Sequence, residues 1–286
     1  MRIQSIHTPT FVAEVTDFAP EAPLSDVNRD RLRSALASAG VIVLRGQGDL
    51  TRDGFVALCE VFGPARSVAD ITNVREDGSV MPPGDLETRR ALGNSVWHMD
   101  NLAAEVPQLG AALAAREIPA GGGGATEFVD LAAAWATLPR QHQRRLRNLE
   151  TFNTFAGIKR RSGAFTEAEI EDVRSSSGVT MHPAVTVDPL SHAPVLTISG
   201  HTEGSDFSEE LISHSARFGD CYSHAWQPGD VLVWNDRRVL HRVQPYDYSR
   251  VRRRLWRADI EGGPITGYSP TLRTRVVRVL AREGTS

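Results

Sequence analysis

A succession of short β-rich segments fills the C-terminal part of the 286-residue chain, and this pattern constrains the fold more than any other feature. Pro, Gly or Asp turns separate the segments, which read "MHPAVTVD", "APVLTISG", "YSHAW", "DVLVWND" and "RRRLWRADI". Their strand-forming residues and turn boundaries predict short β-strands. The helical stretch "SEELISHSARFG" interrupts them. This part of the chain is therefore predicted to be mainly β.

The N-terminal part adds helices to this β-rich core. Apolar residues at helical spacing predict helices over 25–40 and 51–62, with Thr51 as the N-cap of the second. The strand "VIVLRG" lies between them, and "QLGAALAA" and "ATEFVD" are expected to be strands further along. Asp130 is expected to cap the helix "LAAAWATL", and Thr166 to begin a capping box. Together these elements predict an α+β chain, mainly β, with helices flanking one core.

Residues 66–96 differ from their surroundings because they carry turn residues and charges but little periodicity. A long structureless loop in a compact domain is often a lid over an active site. We therefore expect an active-site lid loop at about 66–96. No linker, internal repeat or low-complexity tract divides the sequence, which predicts a single domain over residues 1–286.

Charge and composition argue against several classes of function. The formal net charge of −3 is spread along the chain without a basic block, so we expect no nucleic-acid partner. The N-terminal residues lack the apolar region of a signal peptide, and no run of about eighteen apolar residues occurs. We therefore expect a cytoplasmic protein without membrane association. Cys59 and Cys221 are too few and too separated for a disulfide framework and are expected to stay reduced.

A candidate metal site begins in the segment "NSVWHMDN", residues 94–101. On a strand, residues i and i+2 project to the same face, so His98 and Asp100 can bind one ion while Met99 points away. The pair alone is a weak signal. Two imidazoles and one carboxylate on one face suit an iron(II) centre that leaves positions open for oxygen and a cosubstrate. His241, in "PGDVLVWNDRRVLHRV", is the predicted third ligand.

The choice of His241 depends on the arginines that follow it. In "RRRLWRADI", Arg253 and Arg257 share one face of the predicted strand, with backbones about 13 Å apart. That separation fits a five-carbon diacid, which chelates iron at one end and offers its far carboxylate to a guanidinium group. The pattern therefore predicts a diacid cosubstrate beside the metal.

These stretches resemble the taurine dioxygenase and TfdA-like family of iron(II)- and 2-oxoglutarate-dependent oxygenases. The resemblance covers most of residues 40–260. It is carried by "WHMD", "PQLGAALAAREIPAGGGGATEFVDLAAAWATLP", "GDVLVWNDRRVLHRVQPYDYSRVRRRLWRADI" and, more loosely, "LTISGHTEG". The order and spacing of the HMD pair, Thr126, His241 and Arg253 match that family's pattern.

The resemblance implies a double-stranded β-helix, or cupin-like jelly roll, that uses iron(II), 2-oxoglutarate and O2. Iron would be bound by His98, Asp100 and His241. Thr126 and Arg253 would hold the distal carboxylate of 2-oxoglutarate. The four glycines before Thr126 permit positive φ and close backbone approach, so that its hydroxyl can reach a ligand, although a flexible turn is the alternative interpretation.

The resemblance also implies where the substrate binds. Arg257 matches a second arginine, which lies near the C1 carboxylate of 2-oxoglutarate and, in users of acids, near the substrate anion. Asn94 lies four residues before the first iron ligand, at a position that contacts substrate in this family. His201 and Thr202, in "GHT", fall at another such position.

The resulting hypothesis is a dioxygenase that couples decarboxylation of 2-oxoglutarate, to succinate and CO2, with oxidation of a C–H bond. Hydroxylation of a small substrate with a carboxylate or other anionic group is expected, and a homo-oligomer is possible. One alternative is a zinc-dependent hydrolase that uses the same His/Asp/His site. The other is a non-catalytic jelly-roll binding protein.

Overall fold

Two β-sheets packed face to face form the centre of the molecule. The computed structural model describes residues 1–7, 11–19, 24–65, 68–119, 123–204 and 206–268. Within these ranges the helices are α1 (Asp26–Ala39), α2 (Arg52–Cys59), α3 (Leu86–Gly93), α4 (Leu131–Thr137), α5 (Arg140–Leu146), α6 (Phe155–Ser162), α7 (Glu167–Ser177) and α8 (Asp206–Phe218).

The strands of the described residues fall into two large and two small groups. They are β1 (Arg2–Ser5), β2 (Val12–Thr16), β3 (Val41–Leu44), β4 (Ala69–Thr72), β5 (Gly110–Glu117), β6 (Thr126–Asp130), β7 (Glu150–Asn153), β8 (Thr180–Pro183), β9 (Val185–Val187), β10 (Pro194–Leu196), β11 (Thr202–Glu203), β12 (Cys221–His224), β13 (Val231–Asn235), β14 (Val239–Val243) and β15 (Arg254–Ile260).

The larger of the two facing sheets has the strand order β1-β2-β3-β13-β5-β15-β4. The smaller has the order β12-β6-β14. All neighbours in both sheets are antiparallel except β2 and β3, which run parallel. Two minor sheets, β11-β7-β8 and β10-β9, extend the structure. This is the mainly β jelly roll with flanking helices that the sequence predicted.

Strand β13 shows why the large sheet is buried on both faces. Val231 and Val233 point to one face, where they pack with apolar residues of α1 and α2. Leu232 and Trp234 point to the other face and pack against Phe128 of the small sheet. Successive side chains of a strand alternate between faces, so a continuous apolar run fits a strand covered on both sides.

Helices also cover the outer face of the small sheet. Val129 of β6 and Leu240 of β14 pack there with Leu131 and Trp135 of α4 and with Leu211 of α8. The small sheet thus has one apolar face toward the helices and another toward the large sheet. Thr126 and His241 share this inner face with Phe128, which places two of the predicted site residues between the sheets.

The helix ends agree with the capping residues expected from the sequence. Thr51 accepts a hydrogen bond from the backbone of Gly54, and Asp130 accepts one from Ala132. Thr166 forms the predicted capping box at the start of α7. These side chains satisfy backbone donors that have no partner within the helix.

The segment 66–96 is not the structureless loop that the sequence predicted. It contains β4, which pairs with β15 at the edge of the large sheet, and the helix α3. Both elements are short and largely polar, so their apolar periodicity is weak. Residues 66 and 67 lie outside the described residues, as do 269–286 of the predicted single domain. The lid function of this segment remains a prediction.

No helix among the described residues is long and apolar enough to cross a lipid bilayer.

Candidate functional site

A pair of backbone hydrogen bonds brings His98 and His241 together. The N–H of His98 donates to the carbonyl of His241 over 3.0 Å, and the N–H of His241 donates to the carbonyl of His98 over 2.8 Å. His241 lies in β14, as predicted, whereas the expected strand at His98 is limited to this isolated bridge. Asp100 lies in a turn, and the next residue, Asn101, has a φ of +52°. The chain turns here and does not continue as a strand.

Three side chains meet beside this bridge and form a candidate metal site. The Nε2 atom of His98 lies 3.6 Å from Oδ1 of Asp100, and Nε2 of His241 lies 3.4 Å from Oδ2 of the same carboxylate. Potential ligand atoms of the three residues all lie within 4.8 Å of one another. Met99 is buried in the apolar cluster behind them, so it points away from the site as expected.

The protonation of these side chains suits a divalent metal ion. Nδ1 of His98 lies 2.7 Å from the carbonyl oxygen of Val96, which favours a proton on Nδ1 and leaves the Nε2 lone pair free. Burial lowers the pKa of His241 well below its usual range, so this imidazole is neutral at pH 7. Burial is the largest single effect on Asp100 and opposes its ionisation, but Arg257, His241 and His98 together outweigh burial and hold the pKa of Asp100 well below its usual range.

A second buried carboxylate, Asp236, lies behind the candidate ligands. Its Oδ1 is 3.5 Å from Nδ1 of His241 and accepts a hydrogen bond of 2.9 Å from the indole of Trp234. Gln108 bridges the two acids, with Nε2 at 2.7 Å from Asp236 and 3.3 Å from Asp100. Burial and the nearby charge of Asp100 raise the pKa of Asp236 well above its usual range.

No sequence motif indicated that Gln108 takes part in this site. In the sequence Gln108 is an ordinary amide residue just before a strand. Only the packing of β5 beside β13 brings its side chain to Asp236. Asp236 lies in the turn between β13 and β14. Its contact with the His241 ring is an additional feature.

Arg257 lies directly against the candidate metal ligands. Its Nη2 atom is 2.7 Å from Oδ2 of Asp100 and 2.8 Å from Oδ1 of Asp259. The residue also borders the cavity that His98 and His241 face. Its guanidinium group therefore compensates the negative charge at the candidate site, a contact that strand periodicity did not predict.

Thr126 borders the same cavity at the start of β6. Its Oγ1 accepts a hydrogen bond of 3.1 Å from the indole of Trp226, so its own proton remains available to a ligand. Gly124, two residues earlier, has a φ of +63°, and a Cβ there would lie 3.2 Å from Cδ of Arg253. The glycine run therefore gives the positive φ and close approach expected from the sequence, with Gly121 and Gly122 outside the described residues.

Arg253 is 5% exposed and also borders the cavity. Its Nε has no hydrogen-bond partner within the described part of the chain. Asn73 positions it, because Oδ1 of Asn73 accepts a bond of 2.9 Å from the Arg253 backbone N–H. The Asn73 side chain also donates to the carbonyls of Tyr248 and Val251, over 2.8 and 2.7 Å. The sequence did not reveal Asn73 because its partners lie far along the chain.

The predicted substrate-contacting residues separate into two groups. Asn94 ends α3 and borders the cavity, together with Thr88 and Ala91 of the same helix. His201 and Thr202 are buried and do not border it. The Thr202 hydroxyl donates to Asn153 over 2.8 Å, and Nδ1 of His201 lies 3.3 Å from the carbonyl of Thr154. The structure therefore brings only Asn94 of these three to the cavity.

The donor set fits iron(II). Two neutral imidazoles and one ionised carboxylate, grouped on one side, are the ligands of non-haem iron sites that keep coordination positions open. Nε2 of each histidine is turned toward Asp100, and both rings border the cavity. A ligand that enters this cavity would therefore lie beside the residues that would hold the metal.

Comparison with known proteins agrees with this geometry. The model of the family described as "Taurine catabolism dioxygenase TauD, TfdA family" matches residues 5–258. The chain is 30% identical over 271 residues to an (S)-phenoxypropionate/alpha-ketoglutarate-dioxygenase of Sphingobium herbicidovorans, covering 89% of this chain and 93% of that protein. It is 29% identical over 275 residues to an alpha-ketoglutarate-dependent 2,4-dichlorophenoxyacetate dioxygenase of Cupriavidus pinatubonensis, covering 87% and 94%.

The fold is similar to that of a solved structure, the crystal structure of AAD-2 in complex with Mn(II) and N-oxalylglycine. The TM-score is 0.83 at 24% sequence identity, over 94% of this chain and all of the other. At this identity the likeness supports the jelly-roll fold.

Proposed function

The chain belongs to the taurine catabolism dioxygenase TauD, TfdA family, and on that basis we propose that it oxidises a small organic acid. Its reaction class follows from the family and from its relatives, which are alpha-ketoglutarate-dependent dioxygenases. It is thus an oxidoreductase that uses iron(II), 2-oxoglutarate and O2. When bound, iron and 2-oxoglutarate supply the activation of O2 that couples formation of succinate and CO2 to oxidation of a C–H bond.

One observation carries the assignment of residues: the two candidate histidine ligands and the candidate anchors border one cavity, and Asp100 lies against both histidines. His241 pairs with Phe128 across β14 and β6, and Thr126 lies two residues along β6 on the same face. At about 3.3 Å per residue, Thr126 is displaced from the level of His241 by roughly 7 Å. This displacement suits a five-carbon diacid that reaches from the metal to the Thr126 hydroxyl.

We assign iron binding to His98, Asp100 and His241. When 2-oxoglutarate is bound, the Thr126 hydroxyl and the Arg253 guanidinium group would donate hydrogen bonds to its distal carboxylate. Nε of Arg253 has no hydrogen-bond partner among the described residues, which supports this role, because a buried guanidinium N–H without a partner is costly. Arg257 neutralises Asp100 and faces the end of the cavity where the C1 carboxylate would approach the metal.

The proposed substrate is a small carboxylic acid with an apolar body. Two relatives act, by their names, on phenoxypropionate and 2,4-dichlorophenoxyacetate, which are aryloxyalkanoic acids. The cavity of this chain is bordered by the apolar side chains of Ile71, Leu113 and Val243. The cavity-facing residues of α3, which include Ala91 and Asn94, would then contact the substrate on the side away from the sheets.

The test is an anaerobic titration with iron(II) and 2-oxoglutarate, read by the metal-to-ligand charge-transfer absorption. The wild type should show the band, His98→Ala should lose it, and Arg253→Ala should require more 2-oxoglutarate. Arg252→Ala is the matched control, because Arg252 is exposed and paired with Glu117 away from the cavity. It should titrate like the wild type.

Succinate release then identifies the substrate. The first compounds should be both enantiomers of phenoxypropionate, 2,4-dichlorophenoxyacetate, and taurine as a sulfonate. Succinate formation that depends on an aryloxyalkanoic acid, with a matching amount of oxidised product, would support the proposal. A folded, iron-loaded protein without the band would contradict the assigned site, and release stimulated by taurine alone would contradict the carboxylic acid.

A further inference from the structure

The hydroxyl group of Tyr248 is an unsatisfied donor beside Arg253. Tyr248 is 8% exposed, and its hydroxyl has no hydrogen-bond partner among the residues that the structure describes. The residue borders the same cavity as Thr126 and Arg253. Burial raises the pKa of Tyr248 to about 12, so the group keeps its proton near neutral pH. A buried hydroxyl without a partner is unfavourable unless a ligand satisfies it.

The surroundings of Tyr248 fix its position. Its ring packs against that of Tyr246 with a centroid distance of 4.0 Å, and Tyr246 in turn lies against the guanidinium group of Arg253. The backbone carbonyl of Tyr248 accepts a hydrogen bond from Asn73, the same side chain that accepts one from the Arg253 backbone. Tyr248 and Arg253 are therefore held relative to each other by one buried amide.

The hydrogen-bonding capacity of a carboxylate leaves room for this hydroxyl. Two carboxylate oxygens offer about four acceptor positions, and a guanidinium group occupies two of them when it binds in a fork. The Thr126 hydroxyl occupies a third. One acceptor position then remains, and Tyr248 is a buried donor on the same cavity wall that has no other use within the described structure.

We propose that Tyr248 is a further binding residue for 2-oxoglutarate, and that its hydroxyl donates to the distal carboxylate beside Arg253 and Thr126. This assignment rests on the proposed cosubstrate site and extends it by one residue. The ligand that Tyr248 recognises is defined by the second carboxylate, so a 2-oxo acid without that group gains nothing from the hydroxyl.

The experiment compares the wild type with Tyr248→Phe in anaerobic iron(II) protein, using the charge-transfer absorption to measure the dissociation constant for 2-oxoglutarate. A hydrogen bond to a charged group corresponds to about a tenfold change, so the constant should rise about tenfold in the variant. The thermal midpoint without ligand should not fall, because the hydroxyl that is removed has no partner in the described chain. The increase in midpoint on adding 2-oxoglutarate should be smaller.

Two controls separate this role from simple packing. Tyr222→Phe removes a hydroxyl that is bonded to His224 and does not border the cavity, so it should leave the dissociation constant unchanged. The five-carbon 2-oxovalerate lacks the distal carboxylate, so the wild type and Tyr248→Phe should bind it with the same dissociation constant. Equal affinity of both proteins for 2-oxoglutarate, or an equal loss for 2-oxovalerate, would overturn the assignment of Tyr248. Absence of the band in the wild type would overturn the proposed function itself.

Discussion

Replacing Asn73 with alanine should destabilise the fold and weaken the binding of 2-oxoglutarate together. The Asn73 side chain is 3% exposed and makes three hydrogen bonds, one from the Arg253 N–H and two to the carbonyls of Tyr248 and Val251. Alanine removes all three while it keeps the backbone bond from Asn73 to the Arg253 carbonyl. The loop between β14 and β15 would then lose the side-chain bonds that attach it to the end of β4.

The magnitude follows from the number of partners left without a bond. Each lost hydrogen bond costs about 1 kcal/mol, and three together cost about 3 kcal/mol in the free energy of unfolding. That is a large fraction of the roughly 5–15 kcal/mol that stabilises a typical folded domain. Because Arg253 loses the acceptor that orients its backbone, the dissociation constant for 2-oxoglutarate should also rise.

Urea unfolding followed by tryptophan fluorescence measures the first effect, and the charge-transfer titration measures the second. Asn148→Ala is the control, since Asn148 is exposed and its amide makes one bond of 3.4 Å within its own helix end. It should change stability by less than about 0.5 kcal/mol. A loss below about 1 kcal/mol in Asn73→Ala would refute the reasoning that this amide holds the anchor in place.

Three further outcomes are expected. Gln108→Leu removes the amide between Asp100 and Asp236 and should weaken iron(II) binding about ten- to a hundredfold, which a metal titration would detect; unchanged affinity would contradict its role. Gly124→Ala and Gly46→Ala both place a side chain at positive φ and should each cost about 1 kcal/mol in urea unfolding, but only the first crowds Arg253 and should weaken 2-oxoglutarate binding. Burial lowers the pKa of His201 to about 4, so its contribution to stability, about 3 kcal/mol, is present above pH 6.5 and is lost as the pH falls toward 4. His201→Asn should make the free energy of unfolding less dependent on pH in that interval, and an unchanged slope between pH 6.5 and 4 would show that His201 does not cause the loss.

The reaction class was predictable because its residues follow one another in a recognisable order. His98, Asp100, His241 and Arg253 are residue types that the chemistry requires. The structure groups the first three and brings His98, His241 and Arg253 to one cavity. The family match confirms the dioxygenase class, while the role of each residue remains a prediction.

The supporting contacts were not predictable, because they arise only when distant segments pack. Gln108 and Asn73 are ordinary amides in the sequence. Gln108 bonds to Asp236 in the turn after β13, and Asn73 bonds to Val251 in the loop before β15. The helix α3 was missed because eight residues with few apolar positions give little periodicity. Thr202 has the opposite outcome: its motif suggested a substrate contact, but its hydroxyl is bonded to Asn153 and the residue does not border the cavity.

The reciprocal backbone bonds between His98 and His241 bear on how the protein acquires its metal. These bonds belong to the main chain, so they hold the two imidazoles side by side, with ring centroids 4.2 Å apart, whether or not an ion is present. A chelator should therefore strip the protein without unfolding it, in contrast to small domains whose folding depends on zinc. Rebinding of the metal to the stripped protein should be rapid and reversible, and manganese or cobalt should bind to the same three ligands as iron. Which divalent ion occupies the site would then depend on the supply of metals in the cell more than on the geometry of the three ligands.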